Sequence, residues 1–180
     1  HTVVDHYHEL GYSVLAITDH NEVTYPWTSF SEMEMSEKSV ERMKEEPKTM
    51  PETTDYEDRD PDALGMIDIQ GNELSSHHHM NSLFNDHNGT TTEEDSLKAT
   101  AAKNGLTFLN HPGRYDKPVE WYVGLYERYD HLIGIEVYNS GDRYPNDREL
   151  WDAILQQTMP ERPVWGYSND DMHTLTALGR

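Results

Sequence analysis

Short apolar runs that each end in a cluster of polar residues constrain this chain more than any other feature. Residues 13–17 end in Thr18-Asp19-His20-Asn21, and residues 64–70 lead into Gly71-Asn72-Glu73. Residues 106–109 end in Asn110-His111-Pro112-Gly113-Arg114, residues 132–138 in Asn139, and residues 163–167 in Ser168-Asn169-Asp170-Asp171-Met172-His173. Runs of this length bounded by turn signals fit buried strands. Between them lie segments with helical spacing. In residues 3–10, Val3, Val4, Tyr7 and Leu10 share a face and Gly11 supplies a stop. Thr92-Glu93-Glu94-Asp95 opens a helix that runs through residues 97–103 to Asn104-Gly105, and residues 119–128 and 148–157 supply two more. Helix, buried strand and polar tip in repetition predict an α/β fold, either a parallel barrel or an open sheet. A barrel is preferred because it brings several strand ends to one mouth, and chemistry in such folds gathers at the carboxyl ends of strands.

Those ends carry metal-ligand chemistry. Glu73 is followed within six residues by His77-His78-His79, and residues 80–84 continue as extended chain. The chain has no cysteine, so a metal would be held by nitrogen and oxygen. The candidate imidazoles are His20, His79, His111 and His173, and the candidate carboxylates are Glu73 and Asp171. Any one histidine at a strand end is more often a surface or satisfied residue than a ligand, and the histidine run alone could be a polar loop. Four such tips at one end of a fold are hard to obtain by chance. A carboxylate that bridges two cations a few ångströms apart is the arrangement hydrolytic sites use to acidify water and clamp a phosphoryl group.

The length of 180 residues, without repeats, predicts a single domain over 1–180. Residues 22–62 break the pattern: residues 33–43 fit an amphipathic helix ended by Glu45-Glu46-Pro47, and residues 51–61 are acidic and turn-rich. This acidic loop excursion reads as a solvated rim. With 34 acids against 14 bases, a net charge of −20 argues against nonspecific nucleic-acid binding, while a small anionic substrate stays open because bound cations reverse the local field. No apolar run approaches the ~20 residues that span a bilayer, and no signal-peptide pattern is seen. The expectation is a soluble, cytoplasmic protein.

The motifs Ile17-Thr18-Asp19-His20-Asn21, Gly71-Asn72-Glu73-Leu74-Ser75, His79-Met80-Asn81, Asn110-His111-Pro112-Gly113 and Asp171-Met172-His173 resemble, in order, those of the PHP (polymerase and histidinol phosphatase) metal-dependent phosphoesterases. The resemblance spans nearly the whole chain outside the acidic excursion. It implies a distorted seven-stranded β/α (TIM-like) barrel with two or three divalent ions (Mn, Zn or Fe) at its mouth. The implied activity is hydrolysis of a small phosphate monoester or nucleotide through a metal-activated water. Carried over residue by residue, it makes His20, Glu73, His79, His111, Asp171 and His173 metal ligands, with Glu73 bridging. His79 is chosen over its neighbours because an apolar residue and a nearby Asn follow it, as Met80 and Asn81 do, with His78 as the fallback. If the segment is extended, strand alternation turns His77 and His79 to one face and His78 to the other. Asp19 is assigned to orienting a ligand or receiving a proton. Arg114 is either a fork for a substrate phosphate or a surface arginine on a loop. Glu136 approaches the mouth without being counted as a ligand, and His1, His6, His8, His87 and His131 receive no role.

One departure stands out. The family's first strand ends in His-x-His, and no such motif precedes Ile17; His6-Tyr7-His8 has the spacing but sits in a helix-like segment, where the pair points to different faces. The expectation is therefore a domain incomplete at its N-terminus, with little room after His173 for a final strand and helix. That leaves a non-catalytic metal-binding or regulatory module as the main alternative to an esterase, and amide-bond hydrolysis at a similar mouth as a weaker one.

Overall fold

Helices and strands alternate over much of the computed structural model, which describes residues 2–27, 60–89 and 92–173. The helix expected over 33–43 and most of the acidic excursion lie outside the described residues. Helix α1 (Thr2–Glu9) closes on Gly11, whose φ of 85° lets the chain reverse so that Tyr12 N–H reaches the Tyr7 carbonyl at 3.0 Å. His6 and His8 lie in α1. Strand β1 (Val14–Leu15) follows. After the excursion, α2 (Pro61–Leu64) starts on Asp60, which accepts from Asp62 and Ala63 N–H, and ends on Gly65 at φ 64°.

Strand β2 (Ile67–Asp68) pairs in parallel with β1, Val14 facing Ile67 and Leu15 facing Asp68. Further along, His20 bridges Glu73 in parallel at the same sequence offset, so the two segments form one ladder interrupted in the middle. Glu73 opens the sheet proper: β3 (Gly71–Leu74), β4 (Met80–Leu83), β5 (Leu106–Leu109), β6 (Leu132–Asn139) and β7 (Trp165–Asn169) are neighbours in chain order. The last three are mutually parallel and joined by helical crossovers, through α4 (Val119–Arg128) and α5 (Asp147–Thr158). Helix α3 (Glu93–Ala102) lies between β4 and β5, with Thr92 Oγ1 accepting Asp95 N–H at 3.2 Å and three acids in its first turn.

The expectation of parallel strands throughout is not met at β3 and β4. These form an antiparallel hairpin, and β4 also pairs antiparallel with β5. The connection explains why: Ser75 to His79 is too short for a parallel crossover, which needs a dozen or more residues. The histidine run is accordingly a bend rather than extended chain, so strand alternation does not govern where its side chains point.

Leu74, Leu109, Leu132 and Ile135 from the sheet pack with Leu97, Tyr122, Leu125, Tyr126 and Ile154 from α3, α4 and α5. Each fully buried side chain of this kind contributes roughly 1.5–3 kcal/mol. A smaller cluster, Val4, Trp27 and Met66, seats α1 against the first ladder. Among the described residues, no helix is long and apolar enough to cross a membrane. The architecture is mixed α/β, with a two-stranded and a five-stranded sheet, and the segments after β1 and β7 meet: the rings of His20 and His173 have centroids 5.6 Å apart.

Candidate metal centre

Glu73 is the centre of the mouth. It sits on β3 between the first ladder and the hairpin, nearly buried, and its N–H donates to the Asp19 carbonyl at 3.0 Å while its carbonyl accepts Asn21 N–H at 2.8 Å. Its two carboxylate oxygens face different neighbours. Oε2 lies 3.2 Å from His20 Nδ1, whereas Oε1 lies 3.1 Å from His79 Nδ1, 3.4 Å from His111 Nε2 and 2.7 Å from the amide of Asn110, which donates to it. Burial alone would push this carboxyl up, but the hydrogen bonds from His111, His79 and Asn110 outweigh it and hold Glu73 well below the usual carboxylate range. Burial pulls the other way on His111, which its bond to Glu73 and the charges of Glu136 and Asp171 nevertheless raise.

The tip after β5 is bent to deliver His111. The residue adopts left-handed backbone at φ 30°, followed by a 3-10 turn over Pro112–Arg114. Two buried carboxylates grip that bend: Glu136 accepts the His111 N–H, and Asp147 at the start of α5 accepts the Gly113 N–H at 2.7 Å. Glu136 also accepts from Asn139 Nδ2 at 3.1 Å, and burial pushes its carboxyl up to about 7. Glu136 thus acts on the mouth through the His111 backbone. A Cβ on Gly113 would come within 2.5 Å of Asp147 Oδ1, which accounts for glycine in that motif.

The remaining predicted residues fall into two groups. Asp171 and His173 sit together across the mouth, His173 Nδ1 lying 3.3 Å from Asp171 Oδ1, and Asn139 Nδ2 donates to Asp171 Oδ2 at 3.3 Å. Asp19 is exposed, with its carboxylate accepting from Thr24 Oγ1 at 2.8 Å, and Arg114 is exposed on the 3-10 turn. Of the three consecutive histidines, His79 meets Glu73, His77 Nε2 lies 2.7 Å from Ser96 Oγ on α3, and His78 is buried against Tyr115, Trp121 and Tyr122. Burial drops the His78 imidazole to about 3, so it is neutral.

Sequence reasoning assigned nothing to Arg143, whose guanidinium lies 3.9 Å from Asp171 Oδ2 and lines the mouth beside Arg114. It lies in the polar stretch after β6, so the strand-tip rule that found the other residues also covers it. Asn110 and Asn139 lie at strand tips, but their bonds to Glu73 and Asp171, and the Tyr115 contact with His78, join residues far apart in sequence, which spacing does not reveal.

The donor set fits a divalent cation. His20, Glu73 and His79 each offer a ligand atom, all within 4.8 Å of one another. Two ligand atoms each about 2.1 Å from a tetrahedral ion stand about 3.4 Å apart, close to the separations seen around Glu73. His111 Nδ1, Asn110 Oδ1 and Asn139 Oδ1 are buried without a hydrogen-bond partner at the same place, which is costly unless something else satisfies them. Two cavities open here. One of about 890 Å³ runs from Tyr7 and Leu15 up to Glu73 and Asp171, and one of about 590 Å³ lies among His20, His79, Arg114, Arg143 and His173.

A solved two-domain protein from Bacteroides vulgatus ATCC 8482, containing a predicted PHP-like metal-dependent phosphoesterase, superposes on 97% of this chain with a TM-score of 0.62. The likeness establishes the fold. Identity over the match is 21%, and the chain covers 47% of that protein's length. No family model matches the chain, and no curated protein does. The PHP-like neighbour and the His-His-Glu group agree with one another: a mixed α/β fold with a group suited to a divalent metal at its strand tips.

Proposed function

We propose that this chain is a metal-dependent phosphoesterase of the PHP type, its sheets forming that family's distorted β/α barrel, and that it hydrolyses a small phosphate monoester or nucleotide. The observation that carries the reading is the convergence of His20, His79 and His111 on the two oxygens of one buried carboxylate, Glu73. Oxygens that face different imidazoles suit a bridging carboxylate. His20, Glu73, His79 and His111 would hold the cations, with Asp171 and His173 as further ligands across the mouth. Divalent cations bound there supply positive charge that acidifies water and offsets charge on phosphoryl oxygens.

The chain's own residues do the rest. Asn110 donates to Glu73 Oε1 and fixes the carboxylate plane, and Glu136 holds the His111 backbone. Arg114 and Arg143 line the same cavity and can pair with phosphate oxygens, Arg as a planar fork. Asp19 lines the larger cavity and is assigned to orienting a ligand or taking up the proton released as water attacks.

The purified chain supplied with Mn²⁺, Zn²⁺ or Fe²⁺ should hydrolyse a generic aryl phosphate. Glu73→Ala and His111→Ala should lower the rate more than about 100-fold, beyond the loss usual for groups that only support a ligand. Binding of metal without cleavage of any phosphate ester would sink the proposal; cleavage of a parallel amide panel would then favour amide hydrolysis, and inertness to both a non-catalytic module.

A further inference from the structure

His79 faces Glu73 from a bend, not from a strand, and what holds it there comes from another part of the chain. The ladder of β4 begins only at Met80, so the His79 N–H precedes it. Tyr115, the residue that ends the 3-10 turn after His111, takes that N–H on its hydroxyl at 3.0 Å and donates to the His77 carbonyl at 3.4 Å. Its ring stacks on His78 with centroids 4.0 Å apart and planes 23° from parallel, and it lies 6.2 Å from the His79 ring and 6.1 Å from that of His111. The His79 carbonyl is held as well, by Asn110 N–H at 2.9 Å and His78 Nδ1 at 3.1 Å. Trp121 stacks on His78 from α4, its plane 14° away.

We propose that Tyr115 is a positioning residue of the metal centre, its hydroxyl locking the backbone of His79 and tying it to the tip that carries His111. This rests on the reading of the mouth as a metal centre. A bend with one ladder-like bond on its carbonyl side has freedom to rotate about its N–H side; a fixed acceptor there removes that freedom before a cation arrives, so less order has to be imposed on binding. Groups that orient a ligating side chain directly are worth roughly 10–100-fold in metal affinity, and a hold on the backbone of the ligand should lie at the lower end. Tyr115→Phe keeps the ring and its stacking on His78 and deletes only the hydroxyl.

The test is titration of the metal-free protein with Zn²⁺ alone, followed by calorimetry, with Tyr129→Phe as the comparison. The Tyr129 hydroxyl bonds an exposed Glu94 at 3.2 Å, away from the mouth, so its removal reports the general cost of losing a tyrosine hydroxyl. Tyr115→Phe should bind Zn²⁺ about tenfold more weakly than wild type, with Tyr129→Phe unchanged and the far-UV circular dichroism of both metal-free variants matching wild type. Equal affinity in Tyr115→Phe and wild type overturns the proposal, as does an equal loss of affinity in Tyr129→Phe. If the wild type binds no Zn²⁺, the metal-centre reading itself fails first.

Discussion

At the residue scale, the mouth is a problem of buried carboxylates and each is solved differently. Glu73 accepts from three partners and stays ionised, while Glu136 and Asp147 spend their oxygens on backbone N–H groups of the His111 tip. Asp147 is the least satisfied: fully buried, it pairs one oxygen with Gly113 and leaves Oδ2 without a partner. Burial pushes its carboxyl up to about 6. A folded-state value above the ordinary 3.8 means that the folded chain holds the proton longer, so this group makes stability fall as pH rises from about 4 to about 6 and its full penalty remains at neutral pH. Asp147→Asn keeps an acceptor for Gly113 and cannot ionise. Its unfolding free energy from urea titration should match wild type near pH 4 and exceed it near pH 7.5 by on the order of 2 kcal/mol. A variant that is less stable than wild type at both values contradicts this account of Asp147.

At the element scale, the tips depend on close pairing of the strands behind them. Gly134 on β6 is where β7 comes nearest: a Cβ there would lie 2.3 Å from the Trp165 carbonyl and 2.5 Å from the Tyr167 ring. Gly134→Ala should therefore push the two strands apart at a cost of about 1–3 kcal/mol, read as a lowered denaturant midpoint, and a neutral result would mean that β7 is not packed as described. The elements also show what the amino-acid pattern could and could not reveal. Helices α1, α4 and α5 and strands β5 and β6 follow from period and punctuation, because each buries one face or is buried whole. The β3–β4 hairpin does not: its strands are four residues each, the intervening histidines look like a continuation, and only the shortness of the loop betrays the reversal. The same bend explains why His77 and His79, expected on one face, part company, His77 reaching α3 and His79 reaching Glu73. Motif residues at strand tips were legible because polar groups there have no structural excuse in the pattern. Asn110 and Glu136 lie in the segments the pattern singles out, but what they do there was not legible: Asn110 and Tyr115 act through contacts made only when remote segments assemble, and Glu136 through a backbone N–H.

At the scale of the whole molecule, a chain of charge −20 concentrates histidines at one end of its sheet. Acidic surfaces collect cations weakly and without geometry, and salt screens them over a Debye length of about 8 Å at 0.15 M. A metal site built from His20, Glu73, His79 and His111 would be different in kind: imidazole nitrogens favour transition-series ions over magnesium, and all three rings converge on the one carboxylate of Glu73. These tips are proposed above to form a divalent metal centre. Equilibrium dialysis against Mn²⁺ or Zn²⁺, at about 0.15 M salt with excess Mg²⁺ to occupy the acidic surface, compares wild type with Glu73→Ala most directly. Wild type should retain bound ion under these conditions and Glu73→Ala should retain far less; equal retention by the two proteins would contradict the account.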